Sequence, residues 1–252
     1  MIVVDSGLGG LAVVRALHAA GASCAYLADT AGFPYGERDP ADINARAVRL
    51  MAAVNAQLAP RTVVLACNTL STLCLARLRA RFPQRFVGTV PAVKVAAAQS
   101  SSRRFTLLAT PNTVDSAYSR QLIAEFAGDC TVDRVGADQL ARLAERHLLG
   151  AAVTDGEWRA EIAPAFRDDA QGRTDAVVLG CTHYPLVLAQ LEGVAPWPVR
   201  WIDSSAAIAR QALAVGGGPS PAVAYVTAAA DVTRYADLFA REGFGETRAL
   251  AI

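Results

Sequence analysis

Two of the five cysteines lie in nearly identical surroundings, 114 residues apart in the chain. The segment VVLACNT contains Cys67, and the segment VVLGCTH contains Cys181. Each segment begins as a short apolar run, which predicts a buried strand, and leads into a helical pattern, at Leu70 to Phe82 and at Leu186 to Leu191. Both cysteines are therefore predicted to lie where a strand ends and a helix begins, which is where α/β sheets place ligands and catalytic groups.

A pair of thiols can transfer protons without a cofactor. The partial positive charge at a helix N-terminus favours a thiolate, so each cysteine could act as a base near neutral pH. Two such bases on opposite sides of a carbon can remove a proton from one face and return one to the other, which inverts the centre. Taken singly, either cysteine could instead be a buried residue that packs as a small apolar side chain. Polar neighbours of the duplicated pair favour catalysis: Asn68, Thr69, Thr182 and His183.

The composition excludes several classes of partner. The chain has 252 residues and a net charge of +1, from 24 basic and 23 acidic residues, without a basic stripe or an acidic tail. Nucleic acid and membrane surfaces are therefore not expected partners. No signal peptide or membrane-spanning run is recognised, and an odd number of cysteines without a CxxC pair favours free thiols. These features predict a soluble cytoplasmic protein.

Alternating strand and helix patterns predict the α/β fold class. We expect two similar domains with mostly parallel sheets flanked by helices, and an active site in the cleft between them. The first domain is predicted to comprise residues 1–92 plus 211–252, and the second residues 93–210. A strand at Phe105 to Ala109, followed by a loop and a helix, begins the second domain as a similar unit begins the first. Gly216 to Pro221 is predicted to be a linker or turn.

Six motifs in a fixed order make the chain similar to the glutamate racemases of the cofactor-independent aspartate/glutamate racemase family. One such motif would be weak support, but six span the chain from end to end. They are DSGLGGL (Asp5–Leu11), DTAGFPYG (Asp29–Gly36), ACNTLS (Ala66–Ser71), TLLATPNTVDSAY (Thr106–Tyr118), LGCTHYPL (Leu179–Leu186) and WIDSSAAIA (Trp201–Ala209).

This resemblance implies a reaction and a set of site residues. It implies that Cys67 acts on D-glutamate and Cys181 on L-glutamate, in a reaction that supplies D-glutamate for peptidoglycan. From their own positions, Asp5 is expected to help position Cys67 or to pair with the ammonium, and His183 is expected to assist the Cys181 thiol. Glutamate is then the small-molecule partner, no cofactor or metal is needed, and a homodimer is one arrangement that the sequence leaves open. Donors and acceptors for two carboxylates and an ammonium are implied at Asp5, Ser6, Pro34, Tyr35, Gly36, Asn68, Thr69, Thr110, Thr113, Thr182 and His183.

Three positions depart from the family pattern. Gly32 stands where the family often has an arginine before its PYG turn, and Leu70 replaces a usual alanine after CNT. The family also has a catalytic-site glutamate, for which Glu145 in VGADQLARLAE is the nearest match. We interpret Glu145 as an exposed helix residue, with a role at the site as the alternative.

The glycine-rich loop from Gly7 to Ala12 supports a second class of function. It fits a GxGxxA pattern after a strand, and Asp29 lies about 20 residues further on, as in dinucleotide-binding folds. A nucleotide-binding oxidoreductase is therefore an alternative. Against it, Asp5 and Ser6 end the preceding strand, where a carboxylate would repel a pyrophosphate. The pattern also leaves the paired cysteines unexplained.

Further alternatives concern the cofactor and the substrate. Pyridoxal phosphate requires a lysine for its Schiff base, and the only lysine is Lys94, which has no phosphate cradle beside it. A zinc site could combine the two cysteines with His183 and Asp5, but the spacing is not a recognised one. A binding protein without activity would not need both cysteines.

Aspartate or a broader set of amino acids is the alternative substrate, because one methylene provides only about 1–3 kcal/mol of discrimination.

Overall fold

A computed structural model describes residues 1–216 and 220–252 of the chain. Residues 217–219, in the middle of the predicted linker, lie outside the described residues. The chain divides into two compact units, Met1–Thr89 with Ser205–Ile252 and Val90–Ser204. The chain returns from the second unit to the first at Ser205, where a helix (Ser205–Val215) begins that belongs wholly to the first unit. The predicted boundary at residue 210 would cut this helix.

Short strands alternate with helices along the described chain. The strands are β1 (Ile2–Asp5), β2 (Ala25–Ala28), β3 (Thr62–Leu65), β4 (Arg85–Gly88), β5 (Arg104–Ala109), β6 (Thr131–Gly136), β7 (Asp168–Asp169), β8 (Gly172–Arg173), β9 (Ala176–Leu179), β10 (Arg200–Ile202), β11 (Val223–Val226) and β12 (Glu246–Ala249). The α-helices are α1 (Leu11–Ala19), α2 (Pro40–Leu58), α3 (Asn68–Arg81), α4 (Val93–Gln99), α5 (Pro111–Val114), α6 (Ala117–Phe126), α7 (Leu140–Leu148), α8 (Asp155–Ile162), α9 (Leu188–Val194), α10 (Ser205–Val215) and α11 (Asp231–Arg241). Short 3-10 turns occur at Tyr35–Glu37, Ala163–Ala165 and Tyr184–Val187.

Each unit contains one parallel sheet. Among the described residues, the parallel sheet of the first unit has six strands in the order β12-β11-β2-β1-β3-β4, and that of the second has four in the order β10-β9-β5-β6. All of their pairings are parallel. Reversed, the second order reads β6-β5-β9-β10 and matches β2-β1-β3-β4 strand for strand. The predicted α/β class with parallel sheets is therefore confirmed, and the two sheets share a four-strand topology.

The first sheet is covered on one face by α2 and α3. Alternate residues of β1, Ile2 and Val4, pack in one apolar cluster with Ile43 and Leu50 of α2. Asp39 caps α2 by accepting hydrogen bonds from the first turn, as its position before a proline predicts. This packing fixes α2 on one face of the first sheet.

The helix predicted after β5 is interrupted. The helix expected after β5 forms as α5 and α6, because the Ser116 side chain caps a new helix by accepting from the Ser119 N–H. Helix α8 ends at Ile162, and the chain continues as a 3-10 turn that contains Pro164. Among the described residues, no helix is both long enough and apolar enough to span a membrane.

Candidate active site

Cys67 lies at the junction between β3 and α3. It is the N-cap residue of α3, and it is buried. Because β1 pairs with β3, the residues that follow β1 lie beside this junction. The thiol of Cys67 contacts the hydroxyl oxygen of Ser6 at 3.8 Å. The first cysteine therefore lies at a helix N-terminus, as the sequence predicts, and it also has a hydroxyl neighbour.

Asp5 organises the loop that holds Ser6. Its side chain is fully buried, and its Oδ1 accepts hydrogen bonds from the Gly7 N–H at 3.0 Å and from the Ser6 hydroxyl at 3.4 Å. Asp5 does not cap α1, whose N-cap residue is Gly10. A carboxylate already occupies one N–H of the glycine-rich loop, which is unfavourable for a pyrophosphate at the same position.

Asn68 and Thr69 form the first turn of α3, directly after Cys67. Both are buried. Among the described side chains, the Oδ1 atom of Asn68 is one of the few buried polar atoms without a hydrogen-bond partner. A buried acceptor without a partner is costly, so this oxygen can be satisfied by a ligand that donates, such as an ammonium group.

The PYG segment follows β2 and forms a buried turn. Pro34, Tyr35 and Gly36 are all buried, and the Phe33–Pro34 peptide bond is cis. The Tyr35 hydroxyl donates to the carboxylate of Asp29. Burial, the charge and hydrogen bond of Asp29, and the charge of Cys67 raise the pKa of Tyr35 well above its usual value. Tyr35 is thus a neutral donor at physiological pH.

Cys181 follows β9 in the second unit, at the place that Cys67 occupies after β3. The residue before it is Gly180. Glycine is required there because a Cβ atom would lie 2.8 Å from Ala109 Cβ and 2.9 Å from Leu107 Cδ1 of the neighbouring strand. The helix predicted to follow the cysteine begins later than expected. A 3-10 turn at Tyr184–Val187 separates Cys181 from α9.

A histidine and a carboxylate extend from Cys181 as a buried relay. The Cys181 sulfur lies 3.7 Å from His183 Nδ1, and His183 Nε2 lies 3.0 Å from Glu145 Oε1. Burial disfavours the imidazolium, but the hydrogen bonds and charges of Cys181 and Glu145 outweigh it and raise the pKa of His183 well above its usual value. These contacts therefore favour the imidazolium over the neutral ring.

The interpretation of Glu145 as an exposed helix residue is wrong. Its side chain is 8% exposed and faces His183. Helix α7 buries Ala141 and Ala144, and Glu145 continues the same i, i+3, i+4 face. A charge on the apolar face of an amphipathic helix was the available signal, since such a residue is buried only with a partner.

The remaining predicted residues of the second unit are threonines at the same sheet edge. Thr110 is the N-cap residue of α5, and its hydroxyl donates to the Thr113 hydroxyl at 3.1 Å. Thr182 follows Cys181, and all three threonines are buried. Because β5 pairs with β9, Thr110 and Cys181 both follow the carboxyl ends of neighbouring strands.

Known proteins resemble the chain over most of its length. Its sequence matches the family described as Asp/Glu/Hydantoin racemase over residues 11–212. A glutamate racemase from Sinorhizobium medicae is 47% identical over 215 residues, which are 84% of this chain and 79% of the relative. One from Brucella canis is 46% identical over 214 residues, with 84% and 77% covered.

Solved structures agree with this result. The structure of Escherichia coli glutamate racemase in complex with L-glutamate and the activator UDP-MurNAc-Ala matches with a TM-score of 0.90 at 35% identity. The match covers 99% of this chain and 98% of that chain. The relatives named above are glutamate racemases, which are isomerases that act on an amino acid. A family match over most of the sequence and relatives of this identity lead to one conclusion: the chain belongs to the Asp/Glu/hydantoin racemase family.

Proposed function

We propose that the chain interconverts L- and D-glutamate without a cofactor, using Cys67 and Cys181 as the two acid/bases. The observation that carries this proposal is their equivalent placement. Each cysteine follows a matching strand of one parallel sheet, and each has a different polar neighbour. Family membership supports racemisation of an amino acid, and the names of the similar proteins support glutamate as the substrate.

The reaction moves one proton off the α-carbon and another onto it. With L-glutamate, the Cys181 thiolate removes the α-proton, and the electron pair of the broken C–H bond stays on the α-carbon, delocalised toward the carboxylate. The Cys67 thiol then gives its proton to the opposite face and becomes a thiolate. D-Glutamate reacts in the reverse direction. The proposal requires the two sulfurs to approach opposite faces of the substrate.

His183 and Glu145 would manage the proton of Cys181. An imidazolium 3.7 Å from the sulfur stabilises a thiolate, and it can return a proton when the thiol is needed. Glu145 holds the second ring nitrogen at 3.0 Å, which fixes the orientation of the ring and compensates its buried charge. In the first unit, Ser6 and the N-terminus of α3 would stabilise the Cys67 thiolate.

Substrate binding would use donors and one acceptor at the sheet edges. The first N–H groups of α3 and the hydroxyls of Thr69 and Thr182 suit carboxylates, and they would stabilise the charge that develops as the α-proton leaves. The unpartnered Oδ1 of Asn68 suits the substrate ammonium. Backbone N–H groups of the turn at Tyr35 and Gly36 complete the proposed set.

The wider role follows from the product. We place the reaction in the cytoplasm, where reducing conditions keep thiols free, and all five cysteines of this chain are free. D-Glutamate would serve peptidoglycan synthesis and hence cell shape. Growth of a bacterial strain that requires D-glutamate, after expression of this chain, tests that role.

Proton exchange in D₂O tests the reaction directly. The purified chain is incubated separately with L-glutamate, D-glutamate and L-aspartate, and circular dichroism follows the loss of optical activity while NMR follows deuterium at the α-carbon. We expect both glutamate enantiomers to reach the racemic mixture with α-deuteration. Faster racemisation of aspartate would overturn the choice of substrate, and an inert glutamate sample would overturn the proposed function.

A further inference from the structure

A buried carboxylate outside the predicted site is saturated with hydrogen bonds. Asp29 follows β2 and is fully buried. Its Oδ1 accepts from Arg46 at 2.5 Å and from the Thr227 hydroxyl at 2.6 Å. Its Oδ2 accepts from Arg46 at 2.5 Å and from the Tyr35 hydroxyl. Four donors from three separate segments therefore meet on one side chain.

Arg46 reaches this carboxylate from the middle of α2. It binds both oxygens in a forked arrangement, with Nε on one and a terminal nitrogen on the other, and its side chain is only 14% exposed. A bidentate pair of this kind fixes direction as well as distance, which a lysine cannot reproduce. The helix, packed on the sheet, thereby becomes a fixed anchor for the loop.

Gly32 provides the space for this contact. A Cβ atom at position 32 would lie 2.3 Å from Arg46 Nε and 2.5 Å from Asp29 Oδ2. Gly32 is not among the described glycines with positive φ, so close approach rather than backbone conformation requires glycine here. The guanidinium thus fills volume that any other residue at position 32 would occupy.

The same loop carries the PYG turn. Its backbone is also held at Ala31, whose N–H donates to the Thr227 hydroxyl at 3.0 Å, and at Gly32, whose carbonyl accepts from Arg38 at 3.2 Å. Tyr35 is tied to Asp29 directly. Displacement of the Asp29 carboxylate would therefore release the turn that holds Tyr35 and Gly36.

We infer that Arg46 is a positioning residue for substrate binding: it locks Asp29, and through Asp29 and Tyr35 it sets the turn that presents the Tyr35 and Gly36 N–H groups to glutamate. This inference rests on the proposed function of those N–H groups. Arg46 itself does not touch the substrate. Gly32 is part of the same arrangement, because only glycine leaves room for the guanidinium beside Asp29.

Kinetics of Arg46 variants test the inference. We expect Arg46→Ala to raise the KM for glutamate about tenfold and to change kcat by less than about threefold, because a misplaced binding turn weakens substrate and transition state alike. Arg46→Lys keeps the charge without the fork and should give an intermediate KM. If Arg46→Ala does not fold, the lysine variant decides the outcome.

A double-mutant cycle tests the link to Gly32. Gly32→Ala alone should raise the KM by displacing the guanidinium. In the Arg46→Ala background, where that volume is empty, the same substitution should raise the KM by a clearly smaller factor. Arg15→Ala is the matched control. Arg15 also makes a two-nitrogen pair, with Glu242 at 2.6 and 2.9 Å in the same unit, and its loss should leave KM within about twofold.

Hydrogen exchange separates this inference from the proposed function. In Arg46→Ala the amides of Ala31, Tyr35 and Gly36 should exchange faster than in the parent chain, whether or not glutamate is the substrate. A parent chain inert toward glutamate refutes the proposed function, while the exchange result still decides the role of Arg46. Unchanged KM and unchanged exchange in a folded variant, even one with lower thermal stability, overturn the inference.

Discussion

The two cysteines follow equivalent strands but have different neighbours. Cys67 is the N-cap residue of a 14-residue helix and has the hydroxyl of Ser6 at 3.8 Å. Cys181 precedes a 3-10 turn and has the ring of His183 at 3.7 Å, backed by Glu145 at 3.0 Å. The shared topology thus fixes position, and the local sequence fixes chemistry.

This difference separates two ways of stabilising a thiolate. At Cys67 the helix N-terminus contributes fixed partial charges that no side-chain substitution removes. At Cys181 the helix dipole is weaker, since only a 3-10 turn follows, and a titratable imidazolium replaces it. Cys181 should therefore be the more sensitive of the two to pH and to substitution of its neighbours.

The largest expected effect is the loss of either sulfur. Cys67→Ser and Cys181→Ser should each lower kcat/KM for glutamate by at least about a thousandfold, because a serine hydroxyl is far too weak an acid and base to replace a thiol. Circular dichroism of L- and D-glutamate measures the rates. Cys74→Ser, at a buried cysteine of the α3 core, is the matched control. Undiminished racemisation in either site variant would end the two-thiol proposal.

Next in size is the removal of the imidazole. His183→Gln should lower kcat/KM about a hundredfold, since general acid–base assistance is lost on one side only. The enantiomers have equal free energy, so kcat/KM must fall equally in both directions, and kinetics alone cannot show which cysteine is affected. Alkylation by iodoacetamide, followed by mass spectrometry, can do so.

The labelling result discriminates between the two cysteines. In His183→Gln, labelling of Cys181 should slow because the imidazolium that stabilises its thiolate is gone, and labelling of Cys67 should not change. Equal slowing at both sulfurs would contradict the separate tuning of the two sites.

The His183–Glu145 pair gives a pH-dependent effect on stability. The pKa of His183 is raised in the folded chain, so its contribution is complete below the unfolded value of about 6.5 and disappears as pH rises through the folded value. A double-mutant cycle of His183→Gln with Glu145→Gln should give a coupling of about 2 kcal/mol at about pH 6, roughly thirtyfold in the unfolding equilibrium, and less at about pH 9. Urea unfolding measures it. A coupling that grows with pH would contradict the charged pair.

The strands that carry the two cysteines could be predicted from the sequence, whereas strands at the sheet edges could not. Strands β3 and β9 are apolar and buried on both faces, so their position, their repeat and the cysteines that follow were all legible. Strands such as β6 and β12 were not identified. Both lie at sheet edges and carry exposed polar residues, so no apolar run marks them.

Contacts between residues that are far apart in the sequence could not be predicted either. The partner of His183 lies 38 residues away on α7, and the pairing depends on how that helix packs. Arg46 is 17 residues from Asp29 on a helix with no sequence motif of its own. Local patterns place strands and their ends, but a side chain that acts through packing becomes visible only when the elements are assembled.

The smallest effect should come from the hydroxyl beside Cys67. Ser6→Ala removes a long contact to sulfur, while the N-terminus of α3 remains, so kcat/KM should fall only about threefold. Labelling of Cys67 should change slightly, and labelling of Cys181 should not change at all. A loss comparable to that of His183→Gln would mean that Ser6 is as important to its cysteine as the imidazole is to Cys181. The two cysteines would then differ in which residue type assists them, but not in how strongly that residue contributes to the rate.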